Sequence, residues 1–404
     1  MQPRLLLLVV FAALDPAALA QEDPPVAPPA SPAPTADPGT EFQAGLCWVG
    51  RGDSSSLQYA KQQGASWISA TPFAYGQQSF DQPPPQGYRF SRFRGENVEG
   101  IRELLRAAHR AGLKVLLKPH IWFSRDGKWR GDISMTTEEH WEQWFAAYEA
   151  YLDPFVAMAT EEKAAAFCIG TELGGTIHRE AQWRELITRI RARYDGALCF
   201  AANWYEEYRN VPFWDAVDMI GVQAYFPLTD DPDPTLEALV AGWQPWIEQL
   251  REVSAREDRP VLFTEFGYKP KRATAIKPWE WSSSAPPDES AQATAFQAAF
   301  DALADQPWLC GIHLWKWYSG YSGEGRPIRR RAHDNFSPQG LSGEKVFFEG
   351  VRRLRARSGP AAGANVQERT RRMLEDRERK EKEADRKDDG QDETPDEEPE
   401  SASS

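Results

Sequence analysis

The sequence predicts an α/β fold in which eight parallel strands, linked by helices, close into a single (β/α)8 barrel. Short runs of β-branched and aromatic residues alternate with amphipathic stretches, a pattern typical of parallel strands joined by helices. These runs extend over residues 45–317, a span of about 270 residues that agrees with the roughly 250 residues of such a barrel. The eight runs are GLCWVG from Gly45, WISATPFAY from Trp67, KVLLKPHIW from Lys114, AAFCIGTEL from Ala165, ALCFAANW from Ala197, MIGVQAYFP from Met219, PVLFTEFGY from Pro260 and LCGIHLWKW from Leu309.

Helical periodicity lies between several of these runs, with apolar residues recurring every three or four positions. The clearest helical stretches cover residues 98–111, 183–193, 236–250 and 292–304. A doubly wound open sheet is the alternative arrangement of the same elements. That fold usually has a Gly-rich phosphate loop after its first strand, and VGRGD at residues 49–53 resembles such a loop poorly.

The first twenty residues have the features of a secretory signal peptide. Arg4 precedes an apolar run, and Ala18-Leu19-Ala20 forms a small-residue cleavage pattern. The run is too short to be a stable membrane span. We therefore expect a secreted or periplasmic protein with no membrane span after cleavage, and an uncleaved signal that serves as an anchor is the alternative.

The barrel domain is predicted to occupy residues 41–358, between two segments of very different composition. Residues 21–40 are dominated by Pro and Ala, which indicates an extended, solvated linker. Residues 359–404 have almost no large apolar side chains and end in an acidic run, so we expect a charged and disordered tail.

Charge and composition exclude several classes of partner and cofactor. The chain has 47 basic and 60 acidic residues, a net charge of −13, which has the wrong sign for binding nucleic acid. The four cysteines lie in separate apolar runs and are too few for a disulfide scaffold, so we expect buried thiols. The six histidines form no HxH or HExxH motif, so we expect no metal and no cofactor, against the alternative of a metal-dependent barrel hydrolase.

Two glutamates are the candidate catalytic residues. Functional groups of a (β/α)8 barrel lie at the C-terminal ends of its strands, and the fourth and seventh runs end in Glu172 and Glu265. These two strands face each other across the barrel, so their carboxyls can approach a bound bond from opposite sides. A pair of carboxyls is the requirement for cleaving a glycosidic bond. The alternative is that each glutamate forms a structural ion pair with Arg or Lys.

The other strand ends are rich in side chains that suit a sugar. Trp rings can pack on the apolar face of a pyranose, while Asn, His, Tyr and Thr can form hydrogen bonds to its hydroxyls. The candidate binding residues are His120, Trp122, Thr171, Asn203, Trp204, Tyr225, Trp315 and Trp317. An oligosaccharide or polysaccharide is therefore the expected ligand.

Several motifs together resemble glycoside hydrolase family 113 and its uncharacterised relatives. The motifs are WISATPFAY, FCIGTEL, FAANW, FWDAVDMIGVQAYFPL, LFTEFGY and GIHLWKW, in that order and over residues 45–318. The family belongs to a clan of retaining (β/α)8 hydrolases, and its characterised members act mainly on β-1,4-mannan. The resemblance implies that Glu172 is the general acid/base, that Glu265 is the nucleophile and that Tyr225 donates a hydrogen bond to the nucleophile.

One residue departs from the pattern of the wider clan. Many clan members have Asn immediately before the acid/base, where it contacts the sugar 2-hydroxyl, and this chain has Thr171. The hydroxyl side chain of Thr171 is shorter than that of Asn, so it can still form a hydrogen bond to a sugar but with a different reach. Retention would require the two carboxyls to lie about 5 to 5.5 Å apart, whereas inversion needs a wider separation.

The alternative outside the enzymes is a non-catalytic carbohydrate-binding barrel protein of the cell envelope.

Overall fold

The computed structural model of the chain describes residues 41–76, 80–123, 129–280, 284–323 and 336–357. The predicted signal peptide, linker and charged tail lie outside the described residues. The described strands are β1 (Gln43–Val49), β2 (Trp67–Ala70), β3 (Phe73–Gly76), β4 (Arg89–Phe90), β5 (Lys114–Leu117), β6 (His120–Phe123), β7 (Ala166–Thr171), β8 (Ala197–Asn203), β9 (Met219–Ala224), β10 (Val261–Phe266) and β11 (Leu309–Tyr318). The described α-helices are α1 (Ser54–Gln63), α2 (Val98–Arg110), α3 (Glu138–Glu161), α4 (Glu180–Arg191), α5 (Glu207–Asn210), α6 (Leu236–Glu257), α7 (Glu289–Ala302) and α8 (Ser342–Arg357).

Eight parallel strands form a closed barrel, which confirms the predicted fold. Their order around the barrel is β1, β2, β5, β7, β8, β9, β10 and β11, and β11 pairs with β1 to close the ring. Helices separate most consecutive barrel strands along the chain. Side-chain caps begin several of these helices where the sequence supplies Asn or Thr: Asn97 accepts the N–H of Gly100 before α2, and Thr235 accepts the N–H of Ala238 before α6.

Two of the predicted strand runs are each divided into two strands. The run from Trp67 splits between β2 and β3 at Pro72, and the run from Lys114 splits between β5 and β6 at Pro119. Proline lacks the N–H that a ladder requires, so it ends the barrel strand at both places. The second halves form a separate three-stranded sheet in the order β4-β3-β6. This sheet follows the C-terminal ends of β2 and β5, and it carries the candidate residues His120 and Trp122.

Most of the large aromatic side chains belong to the core between the barrel and its helices. Among the Trp residues that the structure describes, seven are fully buried. Aromatic residues from α3 and α4 pack on each other at this layer; for example, the rings of Trp144 and Tyr148 stack at 5.0 Å and that of Tyr148 contacts Trp183 at 5.9 Å. The abundance of Trp is therefore explained mainly by packing, and only the rings at the strand ends remain candidates for ligand contact.

Polar side chains occupy the barrel interior directly below the strand ends. Ser69 Oγ and His313 Nδ1 are 2.6 Å apart, and Thr264 Oγ1 donates to Gln223 Oε1 at 2.9 Å. Burial lowers the pKa of His313 to about 3, so this ring is neutral. The first contact links β2 with β11 and the second links the neighbouring strands β9 and β10, so hydrogen bonds between strands fix the floor below the site. All four cysteines are buried free thiols, as predicted.

None of the helices in the described part of the chain is both long and apolar enough to cross a bilayer.

Candidate active site

Glu265 lies in β10, the seventh barrel strand, next to a bulge that determines its direction. Phe263 pairs with Val222 and Glu265 pairs with Gln223, so β10 has one extra residue between these two pairs. Thr264 already points inward to Gln223. Strict alternation would therefore direct the Glu265 side chain outward. The bulge breaks that alternation and allows the carboxylate to point into the barrel mouth.

Two buried donors hold the Glu265 carboxyl. Lys118 Nζ lies 2.6 Å from Oε1, and Tyr225 donates its hydroxyl to Oε2 at 2.8 Å. Although burial disfavours the ammonium, the adjacent carboxylate holds the pKa of Lys118 above its ordinary value. Burial and the same carboxylate raise the pKa of Tyr225, so its hydroxyl remains a donor. The site thus provides an ion pair and a hydrogen bond to a carboxylate that is almost completely excluded from water.

His120 lies beside the same carboxyl but forms no hydrogen bond to it. Its Nε2 is 3.9 Å from Glu265 Oε1 and, among the described residues, has no hydrogen-bond partner. Burial, together with Lys118 and Arg130, lowers the pKa of His120 well below its ordinary value. Its ring stacks on Trp315 at 6.1 Å. A buried, neutral imidazole with an open nitrogen can bind one ligand hydroxyl.

Glu172 directly follows β7, the fourth barrel strand, and has a left-handed backbone with φ of 52°. Its oxygen Oε2 accepts hydrogen bonds from Arg130 Nη2 at 2.6 Å and from Trp129 Nε1 at 3.2 Å. The other oxygen, Oε1, has only a longer contact of 3.4 Å with Asn203 Nδ2. Because two donors occupy Oε2, a proton or a ligand is accommodated more readily at Oε1.

The two carboxyls have separate sets of partners. The partners of Glu265 are buried, whereas Trp129, a partner of Glu172, is 38% exposed and Asn203 is partly exposed. The mouth of the barrel thus has an inner, enclosed carboxyl and an outer carboxyl that is partly exposed. Such an arrangement can place one group below a bound sugar and the other at its edge.

The remaining candidate residues divide into those near the carboxyls and those farther away. Trp315 is mostly buried and lies against both His120 and the Lys118 ammonium, which is 5.5 Å from its ring. Trp122 is 48% exposed, and the Arg130 guanidinium lies 5.2 Å from its ring. Both therefore border the site.

Thr171 and Trp204 have their main contacts in the protein. The Thr171 hydroxyl is buried and donates to the Pro119 carbonyl at 3.4 Å, so it is directed toward the backbone of a neighbouring strand end. Trp204 is partly buried, and its ring lies 4.7 Å from that of Trp279, which is exposed. These two Trp rings form a separate aromatic pair on the rim of the mouth.

Trp317 is placed outside the site, contrary to the expectation that it contacts a sugar. Its side chain is fully buried, and its ring packs against Tyr59 from α1 and Phe348 from α8. The cause is a bulge in β11: Leu46 pairs with Leu314 but Trp48 pairs with Trp317. The extra residue makes Trp317 face the helices although Trp315, two positions earlier, faces the barrel mouth.

Four charged or aromatic residues of the site were not predicted from the sequence: Lys118, Trp129, Arg130 and Glu207. The sequence does indicate Lys118, because a lysine inside the apolar run KVLLKPHIW would be buried and would need an anionic partner. The other three lie in loops or at a helix start, where charges and aromatic rings are usually solvated. Only the tertiary structure brings them to the strand ends.

Glu207 is a third carboxyl at this edge of the barrel, and it is buried. It begins the short helix α5, and its Oε2 accepts the N–H of Asn203 at 3.1 Å. Gly174, in the turn after Glu172, lies so close that a Cβ there would be 3.1 Å from the same oxygen. Burial raises the pKa of Glu207 to about 8, an effect that Glu172 reinforces and that the Asn203 N–H and Arg130 oppose. Glu207 is therefore protonated at neutral pH and braces the turn that carries Glu172.

The pKa of Glu207 predicts a specific pH dependence of stability. A glutamate that titrates at about 8 in the folded chain and near 4.5 in the unfolded chain contributes most below pH 4.5. That contribution is lost as the pH rises to 8. Replacing Glu207 with Gln should remove this dependence. The free energy of unfolding of the parent should fall relative to that of the variant by on the order of 3 to 5 kcal/mol between pH 5 and 8. Urea unfolding at both pH values measures the difference. If the free energies of unfolding of the parent and of Glu207→Gln changed equally with pH, the raised pKa of Glu207 would be wrong.

Within the described ranges, no three His, Cys, Asp or Glu side chains gather as a possible metal site.

Comparison with known proteins confirms the resemblance noted in the strand-end motifs. The model of Glycoside Hydrolase Family 113 matches residues 45–332. The solved GH113 β-mannanase AaManA from Alicyclobacillus acidocaldarius, in complex with ManMIm, is 26% identical; the match covers 79% of this chain and 100% of that one, with a TM-score of 0.66. A second solved structure, a GH113 β-1,4-mannanase complex, shares the fold at 24% identity with a TM-score of 0.66. The match covers 77% of this chain and 99% of that one.

A glycoside hydrolase family 5 mannosidase from Rhizomucor miehei is more distantly similar, at 13% identity and a TM-score of 0.50. The match covers 83% of this chain and 98% of that one. The search among curated proteins gave no match. The family model covers most of the chain, and it includes every strand of the barrel apart from the first two residues of β1. The chain therefore belongs to glycoside hydrolase family 113 and is a glycoside hydrolase.

Proposed function

We propose that this chain hydrolyses β-mannan or a related β-glycan with retention of configuration, using Glu265 as nucleophile and Glu172 as general acid/base. The observation that carries the proposal is the contrast between the two carboxyls. Glu265 is enclosed and held by Lys118 and Tyr225, whereas Glu172 lies at the outer edge with one oxygen held only by a contact of 3.4 Å to Asn203. The β-mannanases among the solved family members support mannan as the substrate class.

The first step of the proposed reaction forms a glycosyl-enzyme. A Glu265 carboxylate oxygen attacks C1 of the bound sugar, and the bond from C1 to the glycosidic oxygen breaks. Glu172 gives its proton to that departing oxygen, and we assign the proton to Oε1 because Arg130 and Trp129 occupy Oε2. The leaving sugar departs as an alcohol, and Glu172 is left as a carboxylate that Arg130 can stabilise.

The second step releases the sugar and restores both carboxyls. Glu172 removes a proton from water, the water oxygen bonds to C1 on the face that the leaving group vacated, and the ester bond to Glu265 breaks. Lys118 assists this step, because its buried ammonium regains an ionic partner when the Glu265 carboxylate is released. The two inversions at C1 give a product with the configuration of the substrate.

Sugar recognition at the inner carboxyl is assigned to the residues that surround it. His120 Nε2 is open to a hydroxyl, and the Trp315 ring forms an apolar wall beside it. Because Thr171 donates its hydroxyl to a backbone carbonyl, we propose that His120 and Asn203 contribute more to hydroxyl recognition than Thr171 does. The signal-like residues 1–20 support secretion or a periplasmic location for this reaction.

A substrate panel with product analysis tests the proposed function. The full chain is incubated with β-1,4-mannan, β-1,4-glucan, β-1,4-galactan and their oligosaccharides, and ¹H NMR follows the anomeric signals during the first turnovers. The proposal predicts hydrolysis of the mannan series with the β-anomer formed first. First formation of the α-anomer would contradict retention, and inactivity on the whole panel would favour a carbohydrate-binding barrel.

A further inference from the structure

We propose that Trp129 is the platform for the sugar on the leaving-group side of the cleaved bond, so that the chain binds a β-linked pyranose there by stacking. The inference rests on the proposed function, because it takes Glu172 as the group that protonates the leaving oxygen. It goes further in assigning a second sugar-binding subsite and the residue that forms it.

The position of Trp129 follows from the separation of the two carboxyl environments. Glu265 is surrounded by buried groups, so the sugar that it attacks lies in the enclosed part of the mouth. The leaving oxygen must reach Glu172, and the sugar attached to that oxygen must therefore lie beyond it, toward solvent. Trp129 contacts Glu172 directly through Nε1 at 3.2 Å, and 38% of its surface is exposed at that outer edge.

The indole is supported from behind by a glycine. A Cβ on Gly131 would lie 2.2 Å from Trp129 Cζ3 and 2.5 Å from Cε3 and Cη2, so the six-membered ring packs directly on the Gly131 backbone. A larger residue at this position would displace the ring. One face is thus held by the protein, and the exposed surface of the ring is available to the apolar face of a pyranose.

The turn that carries Trp129 is fixed to the acid/base loop. The N–H of Asp132 donates to the Trp129 carbonyl at 3.0 Å. A Cβ on Gly175, three residues after Glu172, would collide with the carbonyl oxygens of Ile133 and Gly131 at 2.2 and 2.8 Å. Two glycines therefore allow the turn and the acid/base loop to pack in direct contact. A ring that is ordered before binding loses little conformational entropy when a sugar stacks on it.

Arg130 gives the arrangement a second anchor. Its guanidinium donates to Glu172 Oε2 at 2.6 Å and lies 5.2 Å from the ring of Trp122. The residue next to the proposed platform is thus bound to the carboxyl that protonates the leaving oxygen. Trp129 and Glu172 are therefore held in a fixed relative position. A sugar that stacks on Trp129 would have its glycosidic oxygen directed toward the proton of Glu172.

The experiment compares two substrates that share a glycone and differ in the leaving group. One is the best oligosaccharide of the panel, and the other is the β-glycosyl fluoride of the same glycone, whose leaving group has no ring to stack. Trp129→Ala should lower kcat/KM for the oligosaccharide by about 10- to 100-fold. It should change kcat/KM for the fluoride by less than about threefold, because fluoride neither contacts the platform nor needs a proton.

Two further variants separate stacking from other effects. Trp129→Phe keeps an aromatic ring but loses the N–H that contacts Glu172, so it should stay within about fivefold of the parent on the oligosaccharide. Gly131→Ala keeps the indole but displaces it, so it should show the same selective loss as Trp129→Ala. Far-UV circular dichroism and the unfolding temperature of each variant confirm that the fold is retained.

The outcomes distinguish failure of the platform from failure of the proposed function. Equal loss on both substrates in Trp129→Ala would overturn the platform, since it would show that the change disturbs the whole site and not the contact with the leaving sugar. A loss in Trp129→Phe as large and as selective as that in Trp129→Ala would overturn it too, since it would show that the indole acts only through the N–H that contacts Glu172. Unchanged hydrolysis of the oligosaccharide would overturn it as well. A parent chain that cleaves neither substrate overturns the proposed function and the platform with it. Selective loss in both Trp129→Ala and Gly131→Ala, with Trp129→Phe close to the parent, supports the platform.

Discussion

Replacing Glu265 with Gln is expected to reduce kcat/KM by roughly 10⁴-fold or more, because an amide cannot form the glycosyl ester through which the reaction proceeds. The same change should destabilise the chain. Lys118 is fully buried and 2.6 Å from the carboxylate, and a buried charge that loses its partner costs about 3 to 5 kcal/mol. Activity and unfolding must therefore be measured together.

A double variant separates these two effects. In Glu265→Gln/Lys118→Met, the unpaired ammonium is removed along with the carboxylate, so the free energy of unfolding should recover most of the loss. Activity should not recover. Steady-state rates on the oligosaccharide and urea unfolding curves for the parent, the single variant and the double variant provide the comparison. If the double variant were restored in both stability and activity, Glu265 would be a structural residue and the proposed role would be wrong.

Replacing Glu172 with Gln is expected to have the second largest effect. Hydrolysis of the oligosaccharide should slow by about 10³-fold, which is typical for removal of a general acid. Formation of the glycosyl-enzyme from a glycosyl fluoride should be largely preserved, because fluoride leaves without a proton. A rapid burst of fluoride, followed by slow turnover, is the expected signature, since the base that activates water is also lost.

The matched control for this variant is Glu207→Gln. Glu207 is buried next to the same turn and interacts with Glu172 electrostatically, but it is not assigned to proton transfer to the substrate. It should show no burst and should retain most of its activity on the oligosaccharide near pH 6, where the parent's Glu207 is neutral as well. Absence of a fluoride burst in Glu172→Gln would mean that Glu172 acts at both substrates alike, contrary to the assignment.

The barrel and the positions of both glutamates could be predicted because they depend on periodicity along the chain. An apolar strand that ends in a carboxylate is informative by itself, since the charge must be near solvent or a partner. The prolines at positions 72 and 119 indicate where two barrel strands end, because a residue without an N–H cannot continue the hydrogen-bond ladder. The small sheet that these prolines create was not predicted, because its pairing depends on contacts between separate loops.

The details of the site depend on irregularities that periodicity does not reveal. One extra residue in β10 allows Glu265 to point inward, and one in β11 turns Trp317 toward the helices. Neither bulge has a distinctive composition, so strand periodicity alone predicts a position at the mouth for Glu265 and for Trp317 alike. Arg130 and Trp129 lie in a long connection, and nothing local indicates that they reach Glu172.

The central claim, that Glu265 forms a covalent bond with the sugar during turnover, is tested most directly by trapping that intermediate. The full chain is incubated with the 2-deoxy-2-fluoro β-glycosyl fluoride of its best substrate, whose fluorine at C2 slows release of the glycosyl-enzyme, and the digested protein is mapped by mass spectrometry. One added glycosyl group per chain is expected, on the peptide that contains Glu265 and absent in Glu265→Gln. An adduct on any other residue, or full hydrolytic activity with no adduct under conditions that inactivate a retaining enzyme, would contradict it.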